Sequence, residues 1–206
     1  MTTAIDLTDF FKIAEKLECE YRLTRMSDGR QQAVASHSWN MAMMAIAVRP
    51  YLTKAVDFER VLELCILHDL PEAVAHDIPL HEQTVIVKKQ KKDAEKVAIQ
   101  KICDLLKNES IVSDFDEYDV RETPESKLVK LLDVLDTGVQ HMCAQDLSYV
   151  ETYNNGFYWK LFFSDAFTHQ FDYEPMLRQI YDIVRERVAI RLKNELNIDY
   201  KQFIEE

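Results

Sequence analysis

Val61-Leu62-Glu63-Leu64-Cys65-Ile66-Leu67-His68-Asp69-Leu70-Pro71-Glu72 is the stretch that sets the architecture of this chain. Asp57, a residue type that caps helix N-termini, precedes an almost unbroken apolar run, which predicts a helix with a greasy face. Pro71 has no backbone N–H to donate, so that helix is expected to stop near His68-Asp69. Pro71 then sits at the favoured first position of a short helix through Glu72-Ala73-Val74. An imidazole and a carboxylate closing an apolar helix must find partners, because burying an uncompensated charge is expensive. Divalent transition metals accept both ligand types. On a helix the two side chains point about 100° apart, so they converge on one ion only if it sits beside the helix end. Two more ligands are needed. The candidates are His37 upstream and Asp133 downstream, the latter embedded in Leu131-Leu132-Asp133-Val134-Leu135.

Composition frames this motif. The chain has 206 residues, 47% hydrophobic and 30% charged, with only 3 Gly and 5 Pro. So few glycines leave little for the tight turns of a many-stranded sheet, and the fold class expected is all-α, in one domain. Cys19, Cys65, Cys103 and Cys143 form no C-x-x-C pair; all four are expected as reduced, structural thiols, with Cys65 in the core. A net charge of -11 argues against a broad nucleic-acid surface, which neutralises phosphates with Lys and Arg, but leaves a small phosphate ligand open. The N-terminus lacks the basic and apolar regions of a signal peptide, and no apolar run approaches the roughly 18 residues of a membrane span. A cytoplasmic protein without a membrane partner is the expectation.

Along the chain, Asp6 or Thr8 is the candidate cap of a first helix through Phe10, Phe11, Ala14 and Leu17. The arginine-rich residues 21–30, which include Gly29, read as a loop. A second helix is predicted over residues 36–49, stopped by Pro50. It is apolar nearly all round, which predicts a central buried helix with Met41, Met43 and Met44 as core. Lys88, Lys89, Lys91 and Lys92 lead into a long helix through Ala94, Val97, Ile102 and Leu105. The acidic residues 113–122 read as a solvated connection. Thr123-Pro124-Glu125 starts a helix through Leu128, Leu131, Leu132, Leu135 and Val139. Residues 149–171 are aromatic-rich, with Asn154-Asn155-Gly156 as a turn. A last amphipathic helix is expected over about residues 174–196, on the spacing Leu177, Ile180, Val184 and Val188.

Each candidate also has a plainer reading. A lone buried histidine is more often a hydrogen-bonded core residue, and Asp133 has Lys130 and Arg22 as alternative partners. Glu72 suits a helix start on dipole grounds alone. The lysine cluster reads equally as a solvated helix face, and His76 and His81 as exposed loop residues. Taken jointly, His37, His68-Asp69 and Asp133 favour the metal.

The segments Arg22…Val34-Ala35-Ser36-His37-Ser38-Trp39, Leu67-His68-Asp69-Leu70-Pro71-Glu72-Ala73, Asp77-Ile78-Pro79 and Leu128-Val129-Lys130-Leu131-Leu132-Asp133 resemble the HD-domain phosphohydrolase superfamily. Within it, their order is most similar to the compact bacterial 5′-deoxynucleotidases and the phage deoxynucleoside triphosphohydrolases. The resemblance spans about residues 21–145 and implies a compact helical bundle with a metal site between central helices. Residues 146–206 would form a C-terminal helical extension of the same HD-type unit. It implies His37, His68, Asp69 and Asp133 as ligands of one divalent ion: cobalt, manganese, zinc or iron, with magnesium less suited to a His/Asp set. Glu72 corresponds to the family's catalytic carboxylate, Asp77 to an aspartate that touches substrate or the water network, and Arg22 to the arginine that reaches the nucleotide. Leu23 stands where a nucleoside-packing tryptophan commonly follows that arginine. Ser36 replaces a usual Glu, and His76 a usual Gly.

The implied reaction is removal of phosphate from deoxynucleotides, with 5′-monophosphates as the leading substrates. One alternative is triphosphate cleavage, for example dATP to deoxyadenosine plus triphosphate. Another, from a different class, is a catalytically inactive HD-fold module that binds a nucleotide or a protein. Glu72 would orient the attacking water or protonate the leaving alkoxide, and Arg22 with Lys88 or Lys89 would neutralise phosphate charge. Compact relatives assemble, so a homo-oligomer is expected, with the apolar last helix as its interface.

Overall fold

The computed structural model of the chain describes residues 2–78, 84–152 and 157–203. Pro79, His81 and the turn read at Asn154-Asn155-Gly156 lie outside the described residues. In chain order the elements are α1 (Ala4–Glu15), β1 (Tyr21–Arg25), β2 (Gln31–Ala33), α2 (Val34–Val48), α3 (Phe58–Leu67) and α4 (Glu72–Ala75). They continue with α5 (Val85–Leu106), α6 (Ser110–Val120), α7 (Pro124–Cys143), α8 (Phe157–Phe162), α9 (Asp165–Gln170) and α10 (Pro175–Leu196). The fold is all-α apart from one small hairpin.

Local chemistry accounts for the helix ends. Asp57 caps α3 by accepting the Glu59 and Arg60 amides at 3.1 and 3.3 Å. Thr123 caps α7 in the same way, with Pro124 at its first position. At α1 the cap is Thr3, not Asp6 or Thr8. Asp6 returns a bond to the Thr3 amide, so the two form a reciprocal capping box.

Three other local readings are corrected. Residues 21–30 are not a loop: β1 and β2 pair antiparallel, Tyr21 with Ala33 and Arg25 with Gln31, and Gly29 supplies a φ of +83° at the turn. The acidic residues 113–122 are not a solvated connection. They belong largely to α6, which buries Ile111 and Phe115, one helical turn apart, beneath its carboxylates. Helix α2 is not buried all round. Met41 and Ala45 are fully covered, but Trp39 is 65% exposed and Met43 and Ile46 are also open. Its partners cover one side only, and the lack of charge on the other side misled the periodicity.

The main core forms where α2 packs on α3 and both pack on α7, with α10 against the other side of α7. Met41, Leu64, Leu128, Leu132, Leu135, Phe162, Tyr181 and Val188 belong to this cluster. Fully burying a side chain of this kind contributes about 1.5–3 kcal/mol. Helix α7 can approach its neighbours because residue 138 is glycine: a Cβ there would lie 2.9 Å from Val184 Cγ1 and 3.1 Å from Phe162 Cε2. Leu177, Val184 and Val188 of α10 are buried within the chain, so the apolar stripe expected to mediate assembly is already covered. A second cluster, Leu17, Val34, Leu70, Ala73, Ile99, Ile102, Ile111 and Phe115, joins α1, α5 and α6 to the start of α2 and to α4. The turn between α3 and α4 thus lies between two cores. Among the described residues no helix is long and apolar enough to cross a membrane.

Glu174, just before α10, is 1% exposed and ties that helix to the turn after α2. Its carboxylate accepts the Thr53 amide at 2.9 Å, the Thr53 hydroxyl at 3.0 Å and the Lys54 amide at 2.9 Å. Glu174→Ala strands these donors and is expected to lower the unfolding free energy by about 2–3 kcal/mol, measured by urea denaturation.

Candidate metal centre

His37 lies in the first turns of α2, His68 caps the C-terminus of α3 with Asp69 beside it, and Asp133 sits midway along α7. Residues far apart in sequence therefore meet where three helices meet. One ligand atom from each of His37, His68 and Asp69 lies within 4.8 Å of the others. Asp133 Oδ1 is 3.2 Å from His37 Nε2, and Asp69 Oδ2 is 3.1 Å from His68 Nε2 and 3.8 Å from His37 Nε2.

The outer nitrogens of both rings are already committed. His37 Nδ1 meets Asp136 Oδ2 at 2.6 Å, and His68 Nδ1 meets the Cys65 carbonyl at 3.0 Å. Both partners are acceptors, so each Nδ1 donates and each Nε2 is left as a lone pair. Both Nε2 atoms are buried and lack an aligned hydrogen bond, yet both face carboxylate oxygens. Lone pairs and anionic oxygens repel unless a cation lies among them. The donor set thus fits a divalent metal held by His37, His68 and Asp69, with Asp133 adjoining.

The electrostatics agree. Burial alone would raise the Asp133 pKa, but Lys130 and the neighbouring imidazoles hold it well below the usual carboxylate range. Asp69 is likewise depressed against its burial by His68, His37 and Arg22. For His37, burial and the Arg22 charge oppose protonation, but the adjoining Asp133 and Asp136 carboxylates outweigh them and raise its pKa, so a cation in this pocket competes with a proton for Nε2. The pocket therefore retains negative charge and draws a cation inward.

Asp136 and Tyr118 are the neighbours that sequence reasoning missed. Asp136 is fully buried and also accepts Gln32 Nε2 at 2.8 Å, Asn40 Nδ2, and Gln140 Nε2 at 3.3 Å. Its spacing of three residues from Asp133, on one face of an apolar helix, was the available signal. Tyr118 on α6 donates its hydroxyl to Asp133 Oδ2 at 2.9 Å and packs edge-on to His68 at 5.1 Å. The acidic composition of residues 113–122 hides it in the sequence. Lys130 also binds Asp133 Oδ2, at 2.6 Å.

The other candidate residues separate into two groups. Arg22 on β1 places NH1 3.6 Å from Asp69 Oδ2 and donates from NH2 to Thr137 at 3.1 Å. Glu72 and Asp77 are brought together by a lysine that was not singled out: Lys91 Nζ is 2.9 Å from Glu72 Oε1 and 3.3 Å from Asp77 Oδ1. Burial, reinforced by the charges of Asp69 and Asp77, pushes the Glu72 carboxyl well above its ordinary pKa despite Lys91. Lys88 and Lys89, in contrast, are exposed on the first turns of α5. Leu23 packs against the main core. His76, between Ala75 and Asp77, has φ 67° and ψ 151°, a conformation that costs a non-glycine residue about 1–3 kcal/mol. Glu20 holds this bend, meeting His76 Nδ1 at 3.0 Å and accepting the Asp77 amide at 3.0 Å.

An all-helical scaffold that presents two Nδ1-anchored histidines and an adjacent aspartate defines a metal-site protein of the His-Asp type. The chain belongs to the HD domain family, which matches residues 14–162. It is 33% identical over 112 residues to the 5′-deoxynucleotidase HDDC2 of Danio rerio, a match covering 53% of this chain and 54% of that relative. The match to the 5′-deoxynucleotidase HDDC2 of Dictyostelium discoideum is 32% over 135 residues, covering 61% and 70%. In three dimensions it resembles a structure described as a predicted metal-dependent phosphohydrolase from Magnetospirillum magnetotacticum. The TM-score is 0.72 at 22% identity, over 91% of this chain and 93% of that one, which supports the shared fold.

Titration with Mn²⁺, Co²⁺ or Zn²⁺ should show one bound equivalent by elemental analysis and a raised melting temperature. A concentration of 100 times Kd stabilises by about 2.7 kcal/mol. His68→Ala should abolish the shift, and Asp136→Asn should weaken affinity by roughly 10–100-fold.

Proposed function

We propose that this protein is a divalent-metal-dependent phosphohydrolase that removes the 5′-phosphate from deoxynucleoside monophosphates. The observation that carries the reading is the pair of buried imidazoles whose free Nε2 atoms face Asp69 and Asp133, with Glu72 and Arg22 nearby. That the relatives in Danio rerio and Dictyostelium discoideum are named 5′-deoxynucleotidases supports the monophosphate reading over the triphosphate one.

In this reading His37, His68, Asp69 and Asp133 hold the ion. When bound, a divalent cation supplies Lewis acidity toward a phosphoryl oxygen and makes water more acidic. Glu72 orients the attacking water or delivers a proton to the leaving 5′ oxygen, both roles suited to a buried carboxyl with a raised pKa. Arg22 neutralises phosphate charge with its guanidinium, which is fixed on one side by Thr137. Asp77 orders the water or sugar side of the site. The P–O bond to the nucleoside breaks, water supplies the oxygen of the released phosphate, and a proton goes to the deoxynucleoside.

Two further proposals follow from the packing. Residues 1–206 act as one unit, because the main core includes side chains from both the motif-bearing helices and α10. The chain forms a homo-oligomer through α2 rather than α10: Trp39, Met43 and Ile46 are exposed on a helix with no charged residue, a face where chains of net charge -11 can meet. Sedimentation at micromolar concentration should show an oligomer, and Trp39→Glu should yield monomers.

The activity test is incubation with each deoxynucleoside 5′-monophosphate and with dATP, in Mn²⁺ or Co²⁺, with product identification. Orthophosphate from monophosphates is expected, EDTA should abolish it, and Glu72→Ala should lower kcat by about 10²–10⁴-fold. Inorganic triphosphate released from dATP would indicate the triphosphohydrolase instead. No turnover with any metal would indicate a binding module.

A further inference from the structure

Lys91 is the one member of the lysine cluster that turns inward toward the acidic site residues. It lies on α5 at the head of the face Lys91, Glu95, Ala98 and Ile102, where Ala98 and Ile102 are buried against the rest of the fold. Its side chain is 17% exposed, and its ammonium reaches three carboxylates: Glu72 at 2.9 Å, Asp77 at 3.3 Å and Glu95 at 3.6 Å. Lys88 and Lys89 are exposed, and Lys92 turns to Asp119 at 2.6 Å.

The element carrying Glu72 needs such an anchor. Helix α4 has four residues, too few to stabilise itself, and it ends in the strained bend at His76. Glu72 opens it and Asp77 lies two residues beyond it, and two carboxylates so placed repel each other when both are ionised. Glu20 restrains the bend from outside by holding His76 and the Asp77 amide. On the inner side Lys91 supplies a cation to both carboxylates, from a helix of 22 residues that is itself fixed in the second core. Glu95, one turn further on, holds the ammonium in place.

We propose that Lys91 is a positioning residue of the hydrolytic site, clamping Glu72 and Asp77 in a single arrangement relative to Asp69. The inference rests on the phosphohydrolase reading for its kinetic consequence but on the geometry alone for its structural one. Lys91 acts through Glu72 and Asp77, so its loss impairs the chemical step more than substrate capture.

The test compares Lys91→Met and Lys91→Arg with the wild-type protein carrying bound Mn²⁺. Lys91→Met should lower kcat for a deoxynucleoside monophosphate by roughly 100-fold, the cost of misplacing a reacting group by about 1 Å. KM should change by less than about threefold, with metal stoichiometry unchanged, and Lys91→Arg should recover most of kcat. Amide hydrogen exchange over residues 72–78, measured without substrate, should quicken in Lys91→Met and stay near wild type in Lys91→Arg. Unchanged exchange in Lys91→Met, or a defect confined to KM, would overturn the proposal. Absence of turnover in the wild-type protein would instead count against the phosphohydrolase reading, while the exchange experiment still decides the clamp. If Lys91→Met does not fold, Lys91→Gln takes its place under the same criteria.

Discussion

The contact between His37 Nδ1 and Asp136 Oδ2, at 2.6 Å and fully buried on both sides, governs the rest of this centre. Asp136 accepts the hydrogen bond from Nδ1–H, so the ring presents Nε2 toward Asp69 and Asp133. Gln32, Asn40 and Gln140 occupy the other acceptor positions of Asp136, which prevents the carboxylate from turning away. These partners come from β2, α2 and α7. The imidazole is therefore aimed correctly only when the hairpin and both helices are docked, and folding itself prepares the site.

Asp69, Asp133, Glu72 and Asp77 are each met by a Lys or Arg, whereas Asp136 is held by His37 and neutral amides. Lys130 meets Asp133 within α7, Arg22 reaches Asp69 from the hairpin, and Lys91 reaches Glu72 and Asp77 from α5. Each of these pairs keeps part of its surface in contact with solvent, so losing one partner costs less than it would in a fully buried pair. Arg22 thereby ties the hairpin to the end of α3, and Lys91 ties α5 to α4 and Asp77. The residual negative charge between the imidazoles draws in a cation, while Arg22 is held by Asp69 and Thr137.

The two apolar clusters divide the work. The main core fixes α2, α3, α7 and α10 and sets the distance between His37 and Asp133. The smaller one fixes α5 and α6, which carry Lys91 and Tyr118 toward the same centre. The short α4, which precedes the strained bend at His76, packs into the smaller cluster through Ala73.

The helical class, both ends of α3, the start of α7, and the convergence of His37, His68 and Asp69 were legible in the sequence alone. Caps, prolines and apolar spacing act within a few residues, so they survive without knowledge of the fold. The same locality explains the failures. Residues 21–30 carry no long alternating pattern that would mark a hairpin, the carboxylates of α6 conceal its apolar face and Tyr118, and the uncharged sequence of α2 does not reveal which of its sides is open. Which lysine turns inward, which aspartate orients His37 and which side of α2 remains open were decided only by tertiary packing. Those outcomes depend on contacts between residues as far apart as His37 and Asp136, and no local pattern encodes the direction in which one helix is rolled against another.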